Sequence, residues 1–191
     1  MSSWREIRLE EVGSNQLLDC MWVMIYKFDK QGYLIKAKAR LVVRRDQQAS
    51  QVGVDNYAST LAGRSFRSLM VIAARFNLEL IQYDVVNAFV HATLPKPLYM
   101  KSPPSFKKTG IALQLLKALY GLRESPFLWQ KEISSTLIKL GYKKVPYEPC
   151  CYTKEGVIIF FYVDDIVVAY RKDKEATATT MEDLEALKAV Y

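Results

Sequence analysis

Residues 157–170 read VIIFFYV-DD-IVVAY, two apolar runs that meet at Asp164-Asp165. The runs hold seven and five residues, mostly β-branched or aromatic, which is strand length rather than helix length. They predict two strands joined by a tight turn, with two carboxylates at that turn. Burying unpaired carboxylates is costly, and adjacent like charges add repulsion. In a polar loop the pair would be an ordinary Asp-rich turn, because Asp tolerates turn geometry. Between aromatic and β-branched flanks a divalent cation is the favoured compensation. The sequence offers one histidine, His91, and three cysteines, Cys20, Cys150 and Cys151, with no CxxC pair. This excludes a His-rich zinc site and leaves metal chemistry to carboxylates, which suits magnesium or manganese.

A further acid, Asp84, closes the run LELIQYD and precedes VVNAF. It reads either as a helix N-cap or as a third carboxylate, if its strand neighbours the 164–165 hairpin. Three carboxylates from two strands would form a two-metal site, with ions ~4 Å apart clamping the oxygens of a phosphoryl displacement. Lys38 and Arg40 would then hold a triphosphate.

Elsewhere, residues 21–28 and 33–43 are β-rich and flank Asp29-Lys30-Gln31-Gly32, which predicts a hairpin. In the second strand Lys36, Lys38 and Arg40 alternate with Ile35, Ala37, Ala39 and Leu41, so the cations share one face. Residues 46–64 read as a loop. Ser65 is expected to cap a helix with Phe66, Leu69, Met70, Ala73 and Phe76 on one stripe. A strand over 78–84, a short helix near 86–92 and a short strand at 98–101 between prolines follow. Ser125-Pro126 reads as an N-cap and first helical residue. That helix buries Trp129, Ile133, Leu137 and Leu140 and stops at Gly141. An acidic helix over 174–190, expected to lack onward packing partners, closes the chain. The order ββαβαβαββα predicts an α+β fold, an antiparallel sheet with helices on one face.

Charge is uneven. The net charge is +7, and residues 27–45 hold seven basic groups against Asp29 alone, whereas 173–191 hold five acids and two bases. The basic block reads equally as a contact for a polyanion or as a solvated strand face whose lysines discourage edge pairing. No apolar run exceeds seven residues, far from the ~20 of a membrane span. No signal-peptide pattern follows the first charges. Adjacent Cys150 and Cys151 pair poorly with each other, so a reducing interior, cytosol or nucleus, is expected.

Tyr162-Val163-Asp164-Asp165 matches the YxDD box of reverse transcriptases. Further blocks, KAKARLVVRRD (36–46), QYDVVNAFVHATL (82–94), LYMKSPPSF (98–106), LLKALYGLRESPFLW (115–129) and FFYVDDIVV (160–168), resemble the copia-type retrotransposon group in order and spacing. The resemblance implies an RNA-directed DNA polymerase with fingers and a ferredoxin-like palm, spanning residues 20–172. Residues 1–19 would be a loosely attached lead-in and 173–191 a helix cut before the thumb. It implies Asp84, Asp164 and Asp165 as catalytic acids. Two Mg²⁺ or Mn²⁺ ions would be held by them and the Val85 carbonyl. Lys38, Arg40, Phe89, Tyr120 and Gly121 would meet the nucleotide, Phe89 excluding a ribose 2′-OH. Arg123, Ser125, Pro126, Tyr162 and Val163 would face template and primer. The implied partners are an RNA or DNA template with its primer, dNTPs and the other polyprotein modules, in a cytoplasmic virus-like particle or the nucleus. Arg45, His91, Glu124 and Phe127 depart from the usual family residues. With 26 residues after Asp165, weak, salt-sensitive template binding and little extension are expected. The alternatives are a decayed, inactive remnant or a non-catalytic nucleic-acid-binding module.

Overall fold

The computed structural model describes residues 2–48, 58–59 and 63–191, and for Lys174 and Glu175 the backbone alone. In chain order the described strands are β1 (Trp4–Arg8), β2 (Leu17–Leu18), β3 (Cys20–Phe28), β4 (Leu34–Val43), β5 (Glu79–Asp84), β6 (Thr93–Lys101), β7 (Ile111–Lys117), β8 (Lys143–Lys144), β9 (Cys151–Lys154), β10 (Val157–Tyr162) and β11 (Asp165–Tyr170). The described helices are α1 (Gly63–Arg75), α2 (Ser125–Lys139) and α3 (Lys174–Val190), with 3-10 turns at Leu9–Val12, Arg45–Gln47 and Ala88–His91. The composition is α+β, as expected. The chain divides into two compact units, residues 1–56 with 92–128, and residues 57–91 with 129–191.

The first unit contains a four-stranded sheet in the order β1-β7-β6-β2 and the two-stranded hairpin β3-β4. β1 pairs antiparallel with β7 from Trp4 opposite Leu115 to Arg8 opposite Ile111. Ile7 and Val12 pack with Ala112, joined by Leu17 and Tyr99. Residues 1–19 are therefore not the loose lead-in that was expected. Their few apolar residues are too widely spaced to form a pattern, and their partner strand lies about a hundred residues away in sequence. β7 was also unforeseen, because Ala, Leu, Gln and Lys are helix formers and pairing to β1 and β6 overrides them. β6 begins before its prolines, and its register slips between Thr93 and Leu98, around Pro95 and Pro97, which cannot donate to a ladder.

The β3-β4 hairpin matches its expectation. The Asp29 carboxylate accepts from the Gln31 and Tyr33 N–H groups at 2.9 and 2.8 Å, and Gly32 takes φ +88°, which closes the turn. Lys36, Lys38 and Arg40 lie opposite Lys27, Ile25 and Val23, so four cations share one face.

The second unit is built on a five-stranded antiparallel sheet, β5-β11-β10-β9-β8. The apolar run of β10 is buried on both faces: Phe160 on one, Ile159 and Phe161 on the other. Such a continuous run asks for cover on both sides. Phe66 of α1 meets Phe160 edge-on at 5.6 Å, while Leu184 and Leu187 of α3 share a cavity with Tyr83 and Ile166 on the opposite face. Helices therefore lie against both faces, not one as expected.

Helix starts differ from the sequence reading. α1 begins at Gly63, so Ser65 is helical and its hydroxyl donates to Glu148 at 2.8 Å. Of its expected stripe, Leu69 and Ala73 are buried, while Phe66 and Phe76 are exposed. Residues 49–57 and 60–62 of the expected loop lie outside the described residues. α2 stops as expected at Gly141, φ +89°, where Tyr142 N–H donates to the Leu137 carbonyl at 3.0 Å in a Schellman closure. α3 is capped by the Asp173 carboxylate, which accepts from Ala176 N–H at 2.8 Å. It does have packing partners. Leu184 and Leu187 are buried, and buried Asp183 accepts from Tyr142 at 2.7 Å and from Lys154 at 3.0 Å. No described helix is long and apolar enough to cross a membrane.

Candidate active site

β10 and β11 pair from Val157 opposite Tyr170 to Tyr162 opposite Asp165, leaving Val163 and Asp164 as a two-residue turn. Val163 takes φ +56°, a left-handed conformation that is uncommon for a β-branched residue. A positive φ at the first central position matches the twist of paired strands. Two bonds fix the turn. The indole N–H of Trp129 donates to the Val163 carbonyl at 2.6 Å. The backbone N–H of Val85 donates to the Asp164 carbonyl at 2.8 Å.

β5 runs antiparallel beside β11, with Asp84 directly opposite Asp165 and Gln82 opposite Val167. Residues in direct register share a face, with Cβ atoms roughly 4.5–5.5 Å apart. Tyr162, Asp165, Asp84 and Gln82 thus line one face at the strand ends. The Gln82 amide donates to the Asp165 carboxylate at 3.1 Å. Asp84 and Asp165 are exposed and Asp164 is half-buried. The neighbourhood that the sequence left conditional is present: Asp84 pairs with the acid hairpin, and the nearest helical turn starts only at Ala88. Among the described residues no three His, Cys, Asp or Glu side chains form a ready ligand cluster. The donor set nevertheless fits a magnesium-like ion in kind, being all hard oxygen and open to solvent. Beside it lies a mainly apolar cavity of about 280 Å³, lined by Asp84, Val85, Tyr83, Ile166, Leu184 and Tyr191 among others.

The other expected site residues divide between the two units. In the first, Lys38 and Arg40 share the basic face of β4, and the Arg40 guanidinium sits 5.7 Å over the Tyr120 ring. Val43 N–H donates to the Tyr120 carbonyl at 2.8 Å. Gly121, φ +95°, lies so close that a Cβ there would stand 2.0 Å from the Val43 oxygen. Arg123 N–H donates to the Gln48 side chain at 2.9 Å, and Gln48 donates to Glu124 at 2.6 Å. Ser125 is fully buried and is the first residue of α2, not its cap; its hydroxyl donates to the Leu119 carbonyl at 2.6 Å. Pro126 and Phe127 are half-buried and Arg45 is exposed.

In the second unit Phe89 is buried and Tyr162 is 51% exposed on the acid face. His91 ends the 3-10 turn. Its ring lies 6.2 Å from Trp129 and 5.2 Å from Tyr191. Trp129 is 1% exposed, so it packs in the core rather than offering a stacking platform. Burial pushes the thiols of Cys150 and Cys151 up to about 11, which keeps both protonated and inert at neutral pH. Two contributors were missed from sequence, Gln82 and the Trp129 indole. Gln82 alternates with Asp84 along β5, and that spacing alone would have put it on the same face.

Residues 7–187 match the family model described as reverse transcriptase (RNA-dependent DNA polymerase). The chain is 34% identical over 176 residues to the Retrovirus-related Pol polyprotein from transposon TNT 1-94 of Nicotiana tabacum, covering 87% of this chain and 13% of that relative. It is 29% identical over 160 residues to the Pol polyprotein from transposon RE1 of Arabidopsis thaliana, 80% of this chain and 11% of the relative. It is 26% identical over 178 residues to the truncated transposon Ty1-A Gag-Pol polyprotein of Saccharomyces cerevisiae, 92% of this chain and 14% of the relative. The chain thus spans roughly an eighth of the length of these polyproteins. With the YxDD hairpin and its paired Asp84, these matches establish that the chain belongs to the reverse transcriptase family, in its copia-type retrotransposon branch.

Proposed function

We propose that the chain is the RNA-directed DNA polymerase portion of a copia-type Pol polyprotein, its second unit acting as palm and its first as fingers. The observation that carries this is the register pairing of Asp84 with Asp165, beside a turn whose Asp164 carbonyl is tied to Val85. In the reaction a primer 3′-hydroxyl attacks the α-phosphorus of a dNTP and pyrophosphate leaves. Asp84, Asp164 and the Val85 carbonyl would hold two Mg²⁺ or Mn²⁺ ions, with Asp165 in support. Bound there, the ions supply a lowered pKa for the attacking hydroxyl and neutralisation of the phosphate charge. Gln82 keeps Asp165 oriented through its 3.1 Å bond. Tyr162, exposed on the acid face, meets the primer end together with Val163. Phe89 stands beneath the ribose and excludes a 2′-OH.

On the first unit, Lys38 and Arg40 contact the triphosphate, while Tyr120 and Gly121 back the nucleotide. Arg123 and Pro126 follow the template path, and Ser125, fully buried with its hydroxyl on the Leu119 carbonyl, supports that segment from beneath rather than touching the template. These assignments rest on the family resemblance, as does location in a virus-like particle or the nucleus. The partners are an RNA or DNA template with primer, dNTPs and the remaining polyprotein modules.

Single-nucleotide addition tests the reading. With a primed RNA template, Mg²⁺ and low salt, the chain adds one complementary dNTP, and Asp164→Asn abolishes the addition. Equal addition by Asp164→Asn would contradict it.

A further inference from the structure

The turn between β10 and β11 is held in an unfavourable conformation, since Val163 is β-branched and sits at φ +56°. Something outside the hairpin must hold it. The indole of Trp129 has a single donor, its N–H, and a buried indole needs a partner for it. That partner is the Val163 carbonyl, at 2.6 Å. The ring cannot swing away, because Tyr191 packs on it edge-on at 5.0 Å and His91 lies at 6.2 Å. The Val163 carbonyl belongs to the peptide group preceding the Asp164 Cα. The following peptide carbonyl, that of Asp164, is bound by Val85 N–H at 2.8 Å. Both peptide planes flanking Asp164 are therefore pinned, one by an indole and one by the strand that carries Asp84. Pinning both planes fixes the direction in which the Asp164 side chain leaves the backbone.

We infer that Trp129 is a positioning residue, whose indole N–H holds the Val163-Asp164 peptide so that Asp164 points into the ion site shared with Asp84. This rests on the two-ion reading proposed above and deepens it. Outer-shell partners of this kind typically change metal affinity by ~10–100-fold when removed.

The test replaces Trp129 by Phe and, as an isostere that keeps the bicyclic shape, by β-(3-benzothienyl)alanine, which puts sulfur in place of the N–H. Hydrogen exchange of the Val85 amide proton is the readout that does not depend on polymerase chemistry. Loss of the indole bond should free the turn and lower Val85 protection at least ~10-fold, leaving the amides of Ile81 and Val168 unchanged. A uniform loss across the sheet, or no loss at Val85, overturns the inference, because Trp129 would then only fill the core. Mn²⁺ affinity is titrated in parallel, with Asp164→Asn as reference. The benzothienyl variant should bind ~10-fold or more weakly. Unchanged affinity in that variant, with Asp164→Asn defective, overturns the positioning role. Unchanged affinity in Asp164→Asn itself overturns the ion reading, and this inference with it.

Discussion

Asp164 has its backbone held on both sides and is half-buried, and in the proposed function it is an ion ligand. If a cation binds there, Mg²⁺ or Mn²⁺ should stabilise the fold by mass action, by ~2.7 kcal/mol at a concentration a hundred times the dissociation constant, and so raise the melting temperature. Asp164→Asn should erase that rise, and chelation should reverse it in the native chain; calorimetry with and without the ion reads both. Gly121 is fixed by a different constraint. Any Cβ there meets the Val43 carbonyl oxygen, at a φ that side chains avoid. Gly121→Ala should therefore cost ~2 kcal/mol or more in a denaturant titration. Phe89 is 7% exposed, so Phe89→Ala should lose roughly 3–5 kcal/mol from cavity formation alone. If the ring also stands under the ribose, the same variant relaxes discrimination against rNTPs in paired incorporation assays.

At the scale of elements, the two hairpins were legible because each carried a strong local signal. For β3-β4 it was alternation of cations with apolar residues around an Asp-Gly turn; for β10-β11 it was strand-length apolar runs. Asp84 beside the acid hairpin was legible as a possibility only, since strand adjacency depends on how the whole sheet is ordered. β1, β7, β8 and β9 were not legible. β1 and β7 are strands because they pair with each other across about a hundred residues of sequence. β8 and β9 have near partners, β9 turning into β10 through Glu155-Gly156, but are too short to carry a clear pattern. The serine caps failed for a related reason: Ser65 and Ser125 bond to Glu148 and Leu119, contacts that tertiary packing supplies.

One element-scale device was invisible in sequence, the join of α3 to the sheet through Asp183, Lys154 and Tyr142. Asp183→Ala would strand the Lys154 ammonium and the Tyr142 hydroxyl in a mostly buried place and should cost ~3–5 kcal/mol. Burial, reinforced by Asp183, holds the Tyr142 phenol well above its ordinary value of 10.0. Burial also pushes Tyr191 up to about 12. A group whose folded pKa is raised lends stability that is complete below the unfolded value and is lost as pH climbs toward the folded one. Stability should thus decline as pH rises above about 10. Tyr142→Phe should flatten part of that decline in alkaline unfolding curves.

Across the whole molecule, composition already narrowed the chemistry: with one histidine and no CxxC pair, any metal chemistry falls to carboxylates. Family membership then sets the expectation for the cationic face of β4. If Lys36, Lys38 and Arg40 touch phosphates, binding to template–primer should fall steeply with salt. Replacing any one by Ala should reduce the slope of log affinity against log salt by about 0.9. Fluorescence anisotropy across a salt series measures it, and an unchanged slope would return the block to the solvated-face reading. The acids admit a more direct measurement. Substoichiometric Mn²⁺ added to the ¹⁵N-labelled chain broadens amide signals according to their distance from the bound ion. Asp84, Val85, Asp164 and Asp165 should broaden first and together, and Asp164→Asn should remove the effect. Sharp signals at those four positions, with broadening at other carboxylates, would contradict the two-ion reading.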